Sequence, residues 1–89
     1  MSPQVVVVIG AGGIGQAIAR RQGTGRTVLL ADRNPQILAA AAEDLEAGGH
    51  VVATHPVDVA SRESVRELAK VAAGLGEVIN RHKAGRTGR

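Results

Sequence analysis

The sequence predicts an α/β domain: a doubly wound parallel sheet, truncated to β-α-β-α-β-α, with room for a short fourth strand. Apolar, β-branched runs of strand length alternate with segments of helical period, and Gly, Pro, Asn or Ser marks each short connection. Strands alternating with helices of this length form parallel sheets through right-handed crossovers. Four glycines also fall within six positions directly after the first apolar run, where such a sheet places its ligand crevice.

The first strand is QVVVVI, residues 4 to 9, continuously apolar as suits a central strand covered on both faces. Ile14, Ala17 and Ile18 then share a helical face, and that helix is expected to stop near Gly23. TVLLA, 27 to 31, is the second strand. Asn34 before Pro35 starts the second helix: a capping side chain precedes a residue whose missing N–H costs nothing at the first helical position. Ile37, Leu38, Ala41, Ala42 and Leu45 carry it to Gly48. VVAT, 51 to 54, is the third strand, with Pro56 limiting its pairing beyond that point. Ser61 caps a third helix whose Val65, Leu68, Ala72 and Leu75 share a face, ended by Gly74 or Gly76. EVIN, 77 to 80, can start a fourth strand.

At 89 residues, 44% hydrophobic and 21% charged, the chain is an ordinary globular domain, and the length allows only one. It has no aromatic residue, so its core is built from Val, Ile, Leu and Ala and its stability is marginal. Without cysteine it has neither disulfides nor thiolate metal sites. Nothing in it reads as a signal peptide, and no apolar run reaches the ~18 residues of a membrane span. The default reading is therefore cytoplasmic, with no membrane partner. Net charge is +3, but residues 1 to 80 hold seven basic against eight acidic residues, and the tail RHKAGRTGR adds +4. The basicity belongs to that tail, so no specific nucleic-acid partner is expected. Residues 1–80 are read as the folded domain and 81–89 as a basic, disordered tail.

GAGGIG, residues 10 to 15, fits G-x-G-x-x-G, the Rossmann-type dinucleotide turn. Gly10 permits the tight turn out of the strand. Gly12 removes a side chain where a pyrophosphate approaches the backbone, and Gly15 lets the helix pack closely. The free N–H groups of the helix that starts near Gly13 favour phosphate charge. Asp32, last in TVLLAD, stands where a carboxylate accepts hydrogen bonds from an adenosine ribose and repels a 2′-phosphate; it can also simply open the loop before Asn34. Arg33 beside it can pair with a 2′-phosphate or stack on adenine. NAD is favoured over NADP as cofactor. His50, His55 and His82 lack metal-ligand spacing, and Ser2, Ser61 and Ser64 have no recognisable base partner, so no metal site and no catalytic residue are assigned.

On VVVVIGAGGIGQAIAR, LLADRN and HPVDVASRESV, the chain resembles the N-terminal, cofactor-binding part of the short-chain dehydrogenase/reductase family over residues 4 to 76. The resemblance implies an NAD(P)-dependent oxidoreductase fold with the cofactor held by Gly10, Gly12, Gly13, Ile14, Gly15, Asp32 and Arg33. Asp58 and Val59 match an Asp-apolar pair that contacts adenine in that family. Two features depart from it: Ile9 replaces a threonine, and the glycine turn is one residue shorter. The family's chemistry, a catalytic Ser and a Tyr-x-x-x-Lys, follows a fourth strand ending in N-N-A-G. This sequence has charged residues after Asn80 and no tyrosine. The resemblance therefore implies a truncated dinucleotide-binding part that is inactive alone. The alternatives are a non-catalytic interaction or scaffold protein, or a subunit completed in trans by another chain. With EVIN as the whole fourth strand, the edge of Val5 to Ile9 and the third-helix face are left uncovered. A homodimer through first-strand edges, third-helix faces or exchanged C-terminal segments is expected.

Overall fold

The computed structural model describes residues 3–83. The elements run β1 (Gln4–Ile9), α1 (Gly13–Gln22), β2 (Thr27–Asp32), α2 (Pro35–Ala47), β3 (Val51–Pro56), α3 (Arg62–Leu75) and β4 (Glu77–Lys83). The four strands form one parallel sheet in the order β3-β2-β1-β4, the doubly wound arrangement predicted from the alternation.

Period-two alternation in the two central strands sorts the core into two layers. Val6, Val8, Val28 and Leu30 pack with Ala19 of α1 and Leu38, Ala41 and Leu45 of α2. Val5, Val7, Leu29 and Ala31 point to the opposite face and meet Leu68 and Ala72 of α3. Both faces of β1 and β2 are thus covered, which is why their sequences are continuously apolar rather than alternating. Each fully buried Leu or Val, such as Leu29 and Val6, contributes roughly 1.5–3 kcal/mol. The helix starts follow their side chains: Asn34 accepts from the N–H groups of Gln36 and Ile37, and Ser61 accepts from Ser64.

Three expectations are corrected. The buried stripe of α1 is Gly15 and Ala19 with Ile18 beside them, whereas Ala17 is exposed and Ile14 is 61% exposed. The helix approaches the glycine turn so closely that only its smallest side chains fit beneath it. The fourth strand does not end at Asn80 but continues through Arg81 and His82 to Lys83, so the boundary drawn at residue 80 cuts through the sheet. The rest of the expected tail lies outside the described residues. Finally, β1 is not an edge. It pairs with β4 along its whole length, from Gln4↔Glu77 to Ile9↔Lys83, with one irregularity that leaves Ile79 out of register. β4 forms the edge instead, and its exposed Glu77, Arg81 and Lys83 are charges that discourage further pairing. Leu68 and Ala72 of α3 are buried, while Val65 stays 39% exposed.

Candidate dinucleotide site

The turn between β1 and α1 is built by its glycines in different ways. Gly10 has φ 103°, a conformation that L side chains rarely adopt, and its N–H donates to the Ala31 carbonyl at 2.7 Å. That bond prolongs the β1–β2 pairing by one step. A Cβ on Gly15 would overlap the Gly10 carbonyl oxygen and come within 3.4 Å of Val8 Cγ1. Gly15 therefore seats the helix on the turn itself, and it is buried. Gly12 and Gly13 are exposed, and a Cβ on either would meet nothing within 4 Å. Gly12 is the N-cap of α1 with no side chain to satisfy the first amides; its carbonyl accepts from Gln16 at 2.9 Å. A bare shelf of backbone therefore lies at the positive end of a ten-residue helix, open to a ligand phosphate. Ile14 stands exposed beside it.

Asp32 closes the other side. Its Oδ2 accepts from the Ala11 N–H at 2.8 Å, and its Oδ1 accepts from the Asn34 N–H at 2.9 Å. The carboxylate thus fastens the glycine turn to the loop that leads into α2. Each oxygen keeps lone-pair capacity for a further donor. Asp32 thus stands at the strand end facing the turn and also orders the loop before the Asn34 cap.

The β3–α3 loop supplies the third wall. The Val57 N–H donates to the Asp32 carbonyl at 3.1 Å, which carries the sheet pairing one residue past the end of β3. The Asp58 carboxylate accepts from the Ala60 N–H at 3.0 Å, and its own N–H donates to Ser64 Oγ at 2.8 Å. These bonds hold the loop and leave Val59 51% exposed. Gly10, Asp32, Arg33, Asp58 and Val59 line one cleft of about 240 Å³ at the carboxyl ends of the strands. Gly12, Gly13 and Ile14 stand outside its lining, at the open start of α1. Lys83 also lines this cleft and was missed by sequence reasoning, which placed it in the tail. The only available signal was the position of β4 next to β1, and that is visible only once the strand is known to reach residue 83.

A larger cleft of about 500 Å³ lies at the amino ends of the strands, bordered by Arg20, Arg26 and His50. Helix carbonyl ends gather there. Arg26 donates to the Gln22 carbonyl at 2.8 Å and to Gln4 Oε1 at 3.1 Å, so it serves to cap α1 and hold β1. No group of three or more His, Cys, Asp or Glu is placed to hold a metal ion among the described residues. No helix among them is long and apolar enough to cross a membrane.

The short chain dehydrogenase family profile matches residues 4–79. A short-chain dehydrogenase/reductase of Alternaria brassicicola, bsc3, is 42% identical over 80 residues, covering 90% of this chain and 29% of that protein. Among solved structures, an actinorhodin polyketide ketoreductase crystallised with NADPH superposes with a TM-score of 0.87 at 31% identity, over 97% of this chain and 34% of its own. A short-chain dehydrogenase/reductase of Burkholderia phymatum in complex with NAD superposes with a TM-score of 0.74 at 32% identity, over 82% of this chain and 27% of its own. The chain thus spans about a third of the length of these proteins.

Proposed function

The chain belongs to the short-chain dehydrogenase/reductase family, and on that premise we propose that it binds a dinucleotide, NAD in preference to NADP, at the β1–α1 turn. One arrangement carries the proposal: an open glycine shelf at Gly12 and Gly13, tied through the Ala11 N–H to an acid at the end of the neighbouring strand. The shelf would receive the pyrophosphate on the free amides of α1. Asp32 would accept from the adenosine ribose with its remaining lone pairs, and its charge disfavours a 2′-phosphate. Arg33, Asp58 and Val59 would flank the adenine in the cleft they line, with Ile14 against the cofactor's apolar surface. The relatives solved with NAD and with NADPH support the ligand class.

When bound, the nicotinamide supplies the hydride acceptor or donor. These residues bind and orient it; with no tyrosine among the 89, the proton-transfer role that the family gives to tyrosine is not theirs. Binding without turnover is therefore the proposed activity of this chain alone, in a cytoplasmic setting. Titrating NAD, NADP, ADP-ribose and AMP by calorimetry tests it, with NAD binding more tightly than NADP and Gly12→Val binding neither. An NADH oxidation assay across carbonyl substrates should show no turnover; activity from the chain alone would overturn the inactive reading. A chain that binds no nucleotide would leave a scaffold role. The proposed homodimer keeps two routes, α3 faces and exchanged C-terminal segments, because β4 covers the β1 edge. Light scattering after size exclusion checks it, and a stable monomer excludes both routes.

A further inference from the structure

We propose that Lys83 is a cofactor-discriminating residue that holds a 2′-phosphate at the adenosine end of the cleft and so offsets the preference set by Asp32. The inference rests on the dinucleotide reading above. Ile9 has Ala31 as its partner on one side and Lys83 on the other. Neighbouring strands lie ~4.8 Å apart, so the Lys83 backbone stands about 10 Å from the end of β2, across β1. Lys83 and Arg33 line the same cleft, one from β4 and one from just past β2. The glycine shelf for the pyrophosphate is outside that lining, so the ammonium serves the adenosine side of the ligand.

The acids in this cleft are already partly answered. Asp32 directs both oxygens to backbone N–H groups, and Asp58 directs one to Ala60. Hydrogen bonds to a carboxylate draw off part of its field, which weakens its repulsion of another anion. The two acids are matched by two cations, so the cleft is formally neutral rather than acidic. A phosphate monoester, of charge about −1.5 to −2 at neutral pH, gains two opposed cations there. An NAD ribose offers no such anion. Lys83 therefore acts on NADP alone.

The test is a titration of NADH and NADPH into the wild-type chain and into Lys83→Ala, Lys83→Glu and Lys83→Arg, read by the cofactor's own fluorescence. Circular dichroism confirms the fold of each variant, and 2′,5′-ADP against AMP as competitors isolates the adenosine end. Lys83→Ala is expected to weaken NADPH roughly tenfold relative to NADH, as loss of a charge-assisted hydrogen bond does, with NADH changed less than about twofold. Lys83→Glu weakens NADPH further and Lys83→Arg keeps the wild-type ratio. An unchanged NADPH-to-NADH ratio in the Ala and Glu variants, with wild-type binding intact, overturns the role of Lys83 and leaves the dinucleotide reading standing. Wild-type chain that binds neither nucleotide overturns that reading, and this inference with it.

Discussion

Gly15 and Gly12 occupy the same motif but answer to different constraints, and substitutions separate them. A methyl group at Gly15 collides with the Gly10 carbonyl oxygen, which is backbone and cannot swing aside. Gly15→Ala is therefore expected to cost about 1–3 kcal/mol of stability, the usual range for overpacking, measured by urea denaturation. A Cβ at Gly12 meets nothing within 4 Å in the free protein, so Gly12→Val starts into open space. It is expected to cost no more than about 1 kcal/mol, the scale of an N-cap preference, while abolishing the stabilisation that a nucleotide brings. A ligand-induced melting shift that survives Gly12→Val would mean the pyrophosphate lies elsewhere. Asp32 combines both kinds of constraint. Asp32→Ala strands the N–H of fully buried Ala11 and is expected to destabilise by about 1–3 kcal/mol. It should also raise the affinity for NADP relative to NAD, and parallel titrations of wild type and variant read that change.

At the scale of elements, β1 and β2 share the burden of the core. Val5, Val6, Val8, Val28, Leu29, Leu30 and Ala31 have no exposed surface, because helices cover the sheet from both sides. Leu29 faces α3, and α3 brings only Leu68 and Ala72 as buried side chains. Val71 and Leu75 pack against the same layer only in part, and the sheet beneath it is fixed by its pairing, so little can collapse into a vacated space. Leu29→Ala is expected to fall in the upper part of the 2–5 kcal/mol range for such truncations, and Leu29→Met to cost less than about 1.5 kcal/mol. Equal losses from the two variants would mean that the site does not pack as described. The site itself depends on element ends. The glycine shelf is the amino end of α1, Asp32 is the last residue of β2, and Lys83 is the last of β4. Sheet pairing that runs one step past the strands, through the Gly10 and Val57 amides, fixes these ends relative to one another.

For the whole molecule, small size and an aromatic-free core leave little stability in reserve. A ligand that binds only the folded chain then has a large proportional effect. At a concentration 100 times its dissociation constant, NAD is expected to stabilise the fold by about 2.7 kcal/mol, and the melting temperature should rise with concentration. Melts that do not move with NAD, NADP or ADP-ribose would remove the nucleotide site.

Local chemistry made much of this legible beforehand. β-Branched runs, Asn34 before Pro35 and Ser61 as a cap act through neighbouring residues, so strands, helices and their starts follow from the chain itself. The spacing from Gly10 to Gly15 and the position of Asp32 after the second strand likewise located the candidate site. Tertiary structure decided whatever depends on residues distant in sequence. The segment Arg81-His82-Lys83 has no strand propensity to announce it, and it becomes strand because the free edge of β1 offers backbone partners. That pairing buried the edge expected to drive dimerisation and carried Lys83 into the cleft. The inward stripe of α1 likewise turned to Gly15 and Ala19 because the Gly10 carbonyl presses on the helix. No periodicity within the helix encodes that contact: periodicity reports which residues share a face, and only packing reports which face turns inward.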